Sequence, residues 1–140
     1  MQRDSSFNNN PFHGRMPEGC VVFIVEDDEP ARHSIAESLK ALGCSVRLFE
    51  SCESFLAEID QLGMGCLLLD YHFDGLSGLD LLDRLKERDF FVPTVLFTGR
   101  FGSFLKKRAT DYPEVVAVLE KPLDARPVID ALVRAHSLLL

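Results

Sequence analysis

The sequence predicts an α/β domain: a doubly wound, five-stranded parallel sheet flanked by five helices. Three observations carry that prediction. Short apolar runs alternate with segments of helical spacing five times along the chain. Runs such as CVVFIV (20–25) and CLLL (66–69) show no polar alternation, which suits strands covered on both faces. Alternation on this scale implies parallel strands joined by right-handed crossovers.

The elements follow in order. CVVFIV is the first strand, and Pro30 fits the first turn of the helix after it, where a missing N–H costs nothing. Ala31, Ile35, Leu39 and Leu42 keep that helix in register, and Gly43 ends it. SVRLF (45–49) is the second strand. Ser51 caps a helix that carries Phe55, Leu56 and Ile59. CLLL is the third strand, and Leu79, Leu82 and Leu85 mark the third helix after Gly75 and Gly78. TVLF (94–97), opened by Pro93, is the fourth strand. Phe101, Phe104, Leu105 and Ala109 line a short fourth helix. VVAVL (115–119) is the fifth strand, and Asp124 caps a last helix burying Val128, Ile129, Leu132 and Val133, with Pro127 in its first turn.

Bulk properties narrow the function classes. The chain's 140 residues, 46% hydrophobic, suit one packed domain spanning residues 20–140. Residues 1–19, rich in Asn, Pro and Gly without hydrophobic period, are expected to be a flexible tail. No output domain is expected after Leu140. A formal charge of −7 argues against direct nucleic-acid binding; Lys106, Lys107 and Arg108 suit a solvated helix face. Cys20, Cys44, Cys66 and Cys52 form no CxxC pair and no zinc spacing with histidine. With no apolar leader and no run long enough for a membrane span, the expectation is a cytoplasmic protein with reduced thiols and no membrane insertion.

Ligands of open α/β sheets sit outside the carboxyl ends of the strands. Glu26, Asp27 and Asp28 follow the first strand, Asp70 the third, Thr98 and Gly99 the fourth, and Glu120, Lys121 and Pro122 the fifth. Converging carboxylates repel unless protonated or bridged by a cation. Oxygen ligands without a Cys/His cluster favour a hard ion such as Mg²⁺. A carboxylate can also attack phosphorus, with Lys121, the Thr98 hydroxyl and the Gly99 N–H available to the phosphoryl oxygens. Taken singly, Asp70 could be a loop acid, Lys121 a surface lysine and Thr98 an ordinary strand end. Asp28 fits a helix-start charge. His13, His33 and His136 fit surface or tail positions.

Four stretches, IVEDDEPAR (24–32), LLLDYHFDGLSGLDLL (67–82), VLFTG (95–99) and LEKPL (119–123), together resemble the receiver domain of two-component response regulators over roughly residues 20–137. The resemblance implies the flavodoxin-like strand order 2-1-3-4-5. It implies Asp70 as phosphoacceptor, and Asp27, Asp70 and the His72 backbone carbonyl as Mg²⁺ ligands, with Glu26 acting through water. Thr98, Gly99 and Lys121 become the phosphoryl-binding and switch groups, and the bond before Pro122 becomes cis. The implied partners are a sensor histidine kinase or histidine phosphotransfer protein and a downstream protein target, with homodimer formation left open. The chain is then a signalling phosphoacceptor that phosphorylates and dephosphorylates itself rather than an enzyme. His72 and Arg100, two past Asp70 and Thr98, are expected to tune phosphate lifetime.

This sequence departs from the family pattern in three places. Asp74 stands where proline is usual, Val118 where an aromatic switch residue is usual, and 98–115 makes the fourth helix atypical. Two other readings follow from such departures and from the chemistry. One is a phosphatase passing through an aspartyl-phosphate, which usually needs an acid where His72 stands. The other is a binding module that keeps the fold without using phosphate.

Overall fold

The computed structural model describes residues 16–72, 75–100 and 102–140. Asp74, Phe101 and residues 1–15 lie outside the described residues. Five parallel strands run β1 (Val21–Val25), β2 (Ser45–Phe49), β3 (Cys66–Asp70), β4 (Thr94–Thr98) and β5 (Val115–Glu120). Their order is β2-β1-β3-β4-β5, as the resemblance implies. The helices are α1 (Glu29–Ala41), α2 (Cys52–Glu58), α3 (Gly78–Glu87), α4 (Gly102–Ala109) and α5 (Ala125–Ser137), and a 3₁₀ turn (Ile59–Gln61) extends α2.

Side chains alternate across each strand, so the central strands feed two cores. Val22, Ile24, Leu68, Val95 and Phe97 face α1 and α5. Phe23, Val25, Leu67, Leu69 and Leu96 face α2, α3 and α4. All five residues of β3 are buried, which explains its unbroken apolar run. The edge strand β2 alternates exposed and covered positions, and β5 is half-buried along its apolar length.

Local signals place the helices. Asp28 accepts from the Ala31 N–H at 2.9 Å, capping α1 with Pro30 in its first turn. Gly43, at φ +97°, makes the left-handed exit from α1. Ser51–Ser54 and Ser77–Asp80 form capping boxes for α2 and α3.

Three expectations need correction. Asp124 stands at the N-cap of α5 with extended backbone, but its side chain makes no capping bond. Phe104 is half-exposed, with Arg108 5.9 Å over its ring; Leu105 and Ala109 are buried as expected, with Gly102 beside them on the buried face of α4. The folded unit also begins before residue 20. Met16 is buried, and its N–H donates to the Leu42 carbonyl at 2.7 Å. One apolar side chain in a polar stretch was too weak a signal to reveal this.

Candidate functional site

Strand register assembles the site. Val25 pairs with Leu69 and Phe97 with Asp70, so Glu26, Asp70 and Thr98 emerge side by side at the carboxyl edge. Thr98 pairs with Glu120, and the Lys121 N–H donates to the Thr98 carbonyl at 2.8 Å, which brings Lys121 to the same edge. The Lys121–Pro122 bond is cis.

The turn after β3 is tightly held. The Gly78 N–H donates to the Tyr71 carbonyl at 2.9 Å. A Cβ on Gly78 would stand 3.1 Å from both the Asp70 carbonyl oxygen and the Tyr71 Cα, so a side chain here would crowd the backbone where α3 starts close to the strand end.

Asp70 is 3% exposed. Its Oδ1 accepts the His72 N–H at 3.2 Å, and its Oδ2 lies 3.2 Å from Lys121 Nζ. The same ammonium donates to Glu26 Oε1 at 3.3 Å and lies 5.3 Å from the Phe97 ring centre. Glu26 is fully buried, and its Oε2 has no hydrogen-bond partner. Burial, and then the neighbouring Asp70 carboxylate, push the Glu26 pKa up to about 8, with Lys121 working the other way. For Lys121, burial pulls the pKa down, but Asp70 and Glu26 together carry it above the usual lysine value.

The other predicted residues take different stations. Asp27 is exposed and contributes a carboxylate oxygen to a trio with Glu26 and Asp70, all within 4.8 Å of one another. Thr98 is buried; its Oγ1 donates to the Arg100 carbonyl and accepts the Arg100 N–H at 3.2 Å, so its hydroxyl is engaged with the loop rather than with Asp70. Gly99 and the exposed residues His72 and Arg100 join Asp27, Asp70, Thr98 and Lys121 around an open cleft of about 360 Å³. Val118 is half-buried against the core on the α2–α4 side.

The sequence reading missed two supports. Arg32 donates to the Glu26 carbonyl at 2.8 Å, fixing the backbone beneath the acidic trio. Phe97 floors the Lys121 ammonium. Arg32 lay within a quoted motif, but its partner six residues earlier is visible only once the helix is built.

Three acids gather, two of them on one ammonium, and one buried oxygen among them has no partner. An all-oxygen set with surplus negative charge fits a hard divalent cation. Chemically, the cleft offers a nearly buried carboxylate as nucleophile, cationic charge beside it, and a hydroxyl and backbone groups for an incoming anion.

Comparison with known proteins gives a consistent result. The family described as the response regulator receiver domain matches residues 22–133. The transcriptional regulatory protein FixJ of Rhizobium meliloti (strain 1021) is 32% identical over 120 residues, covering 82% of this chain and 56% of that protein. FixJ of Azorhizobium caulinodans is 34% identical over 121 residues, covering 83% and 54%. The chain thus spans about half the length of these curated relatives. Among solved structures, the one titled as the crystal structure of FixJ-N has a TM-score of 0.81 at 31% identity, covering 89% of this chain and 98% of that one.

Proposed function

This chain belongs to the response regulator receiver family of two-component systems, and from that membership we propose that Asp70 accepts a phosphoryl group from phosphohistidine on a partner kinase or phosphotransfer protein. One observation carries the reading: Asp70 is a nearly buried carboxylate at the end of the central strand, with Lys121 at 3.2 Å and two further acids alongside. One Asp70 oxygen attacks phosphorus as the bond to the donor's imidazole nitrogen breaks. Lys121, already in contact with Asp70, offsets charge on the transferred oxygens. Asp27, Asp70 and the His72 carbonyl would hold Mg²⁺, with Glu26 acting through water. Bound there, Mg²⁺ supplies positive charge that the equatorial oxygens need.

The Thr98 hydroxyl, now bonded to the Arg100 backbone, exchanges that partner for a phosphoryl oxygen, and the Gly99 N–H lies next to it. That exchange reshapes the 98–100 loop at the start of α4 and carries the signal to a protein target. Val118 cannot supply the swinging ring usual at its position, so the loop itself carries the change. The relatives are named as transcriptional regulators; for this chain, the downstream partner is a protein bound according to phosphorylation state.

The test is labelling by acetyl phosphate. Wild type is expected to take up label only with Mg²⁺, and Asp70→Asn to take up none. Equal labelling of Asp70→Asn would remove Asp70 from the role. Pull-downs with and without beryllofluoride then recover the target, and identical captures in both states would count against a phosphorylation-dependent output.

A further inference from the structure

The opposite edge of the sheet holds a second group of reactive side chains. Cys20 and Cys44 immediately precede β1 and β2, whose register pairs Val21 with Ser45. The Ser45 N–H donates to the Cys20 carbonyl at 3.0 Å, so the two cysteines stand opposite each other one step before that register. Neighbouring strands lie about 4.8 Å apart, inside the Cα range that a disulfide spans. Their sulfurs are 3.8 Å apart, with the Cys44 thiol donating to Cys20 Sγ. Both are free thiols, and both point into the core between the sheet and α1 and α5.

Burial ordinarily makes cysteines inert. These two differ in what covers them. Met16–Gly19 folds over this end of the core as a short strap. It is tied by Met16 to the Leu42 carbonyl at 2.7 Å and by the Cys20 N–H to the Pro17 carbonyl at 3.1 Å, and it turns at Gly19 with φ +79°. Among the described residues this strap is tied by two backbone bonds and the buried Met16 side chain, and local opening of such a segment costs less than unfolding the whole domain. Cys52 is the first residue of α2 and lies in the other core, whereas Cys66 opens β3 in the same core as the pair, with Val22 as its strand partner.

We propose that Cys20 and Cys44 form a native dithiol that a hydroperoxide converts to a disulfide when the Met16–Gly19 strap lifts. The Cys20 sulfur attacks the peroxide oxygen, the O–O bond breaks, and an alcohol or water leaves with a proton from the thiol pair. Cys20 becomes a sulfenic acid. Cys44 then attacks Cys20 Sγ, the S–O bond breaks, and water leaves with the remaining proton. Two electrons pass from the two sulfurs to the peroxide. The hydrogen bond from Cys44 lowers the Cys20 pKa against the opposing effect of burial, while the same contact and burial raise that of Cys44, so Cys20 is the more readily ionised sulfur of the pair. Burial pushes Cys52 and Cys66 up to about 12, so they serve as slow internal references.

The test exposes the folded 140-residue chain to hydrogen peroxide, alkylates the remaining thiols and maps the peptides by mass. The expected product joins the Cys20 and Cys44 peptides, and these two thiols disappear about tenfold faster than Cys52 and Cys66. Cys44→Ser is expected to stop at the Cys20 sulfenic acid, and Met16→Gly to speed cross-linking about tenfold. Three results would overturn the pair: a link that forms only in denaturant, a link that runs to Cys66, or over-oxidised Cys20 without a link. An unchanged rate in folded Met16→Gly would overturn the strap. Mapping of the wild type decides the pairing even if a variant fails to fold.

Discussion

Glu26 concentrates the electrostatic problem of the cleft in one side chain. Its pKa is raised from 4.5 to about 8, so the folded chain keeps a proton that the unfolded chain releases across that interval. The stability contributed is complete below pH 4.5 and is lost as pH rises through about 8. Without divalent ions, the thermal midpoint of wild type is therefore expected to decline across this window, and Glu26→Gln to decline less. A pH slope identical in the two proteins would refute this account. Under the proposed function, Mg²⁺ would compete with the same proton, so its affinity, followed by calorimetric titration, is expected to weaken as pH falls below about 8. His72 and Arg100 stand at the rim. Both are exposed and line the cleft that holds Asp70. His72→Ala and Arg100→Ala are each expected to admit water and speed loss of the phosphoryl label severalfold. Equal half-lives would show that neither side chain screens the acceptor. At this scale the sequence was informative about residue types: acids, threonine and lysine at strand ends are visible as letters. It did not reveal that Thr98 turns its hydroxyl onto Arg100, because that depends on the path of the loop.

At the scale of elements, helix starts separate what spacing can foretell from what it cannot. Asp28 and Asp124 look alike in sequence, each standing just ahead of a helix with proline in its first turn. The Asp28 side chain bonds the Ala31 N–H, whereas the Asp124 side chain makes no capping bond. Asp28→Ala is expected to cost about 1 kcal/mol of folding stability. Asp124→Ala is expected to cost roughly 0.3 kcal/mol, through the helix dipole alone. Urea midpoints of the two variants give the comparison, and equal losses would contradict the cap assignment. The fourth helix shows the limit of periodicity. Its eight residues carry three adjacent cations and a half-exposed Phe104, so hydrophobic spacing placed Leu105 and Ala109 correctly but not Phe104. The glycine at its start, buried against the Glu120 side chain, carries no hydrophobic signal.

For the whole molecule, the decisive feature is a sheet clothed on both sides. Leu68 and Leu69 are adjacent and fully buried, yet they belong to different cores. Leu68→Ala and Leu69→Ala are each expected to cost about 2–5 kcal/mol in denaturant unfolding. A sheet with one wet face would make one of them nearly neutral, so a large asymmetry would contradict the two-layer packing. This architecture was legible because parallel strands leave unbroken apolar runs and the carboxyl-edge residues arrive in a fixed order. The amino edge was not legible. Cys20 and Cys44 stand 24 residues apart, and only the β1–β2 register makes them neighbours. The length of β1 has its own consequence. From Cys20 to Glu26 the strand climbs six residue steps, roughly 20 Å at strand rise. That is about twice the distance over which physiological salt lets charges sense one another. Between solvent-exposed groups at the strand's two ends, charge effects are therefore largely screened. The backbone that joins the two ends is pinned on both sides by its neighbours, so movement at one end reaches the other only with β2 and β3.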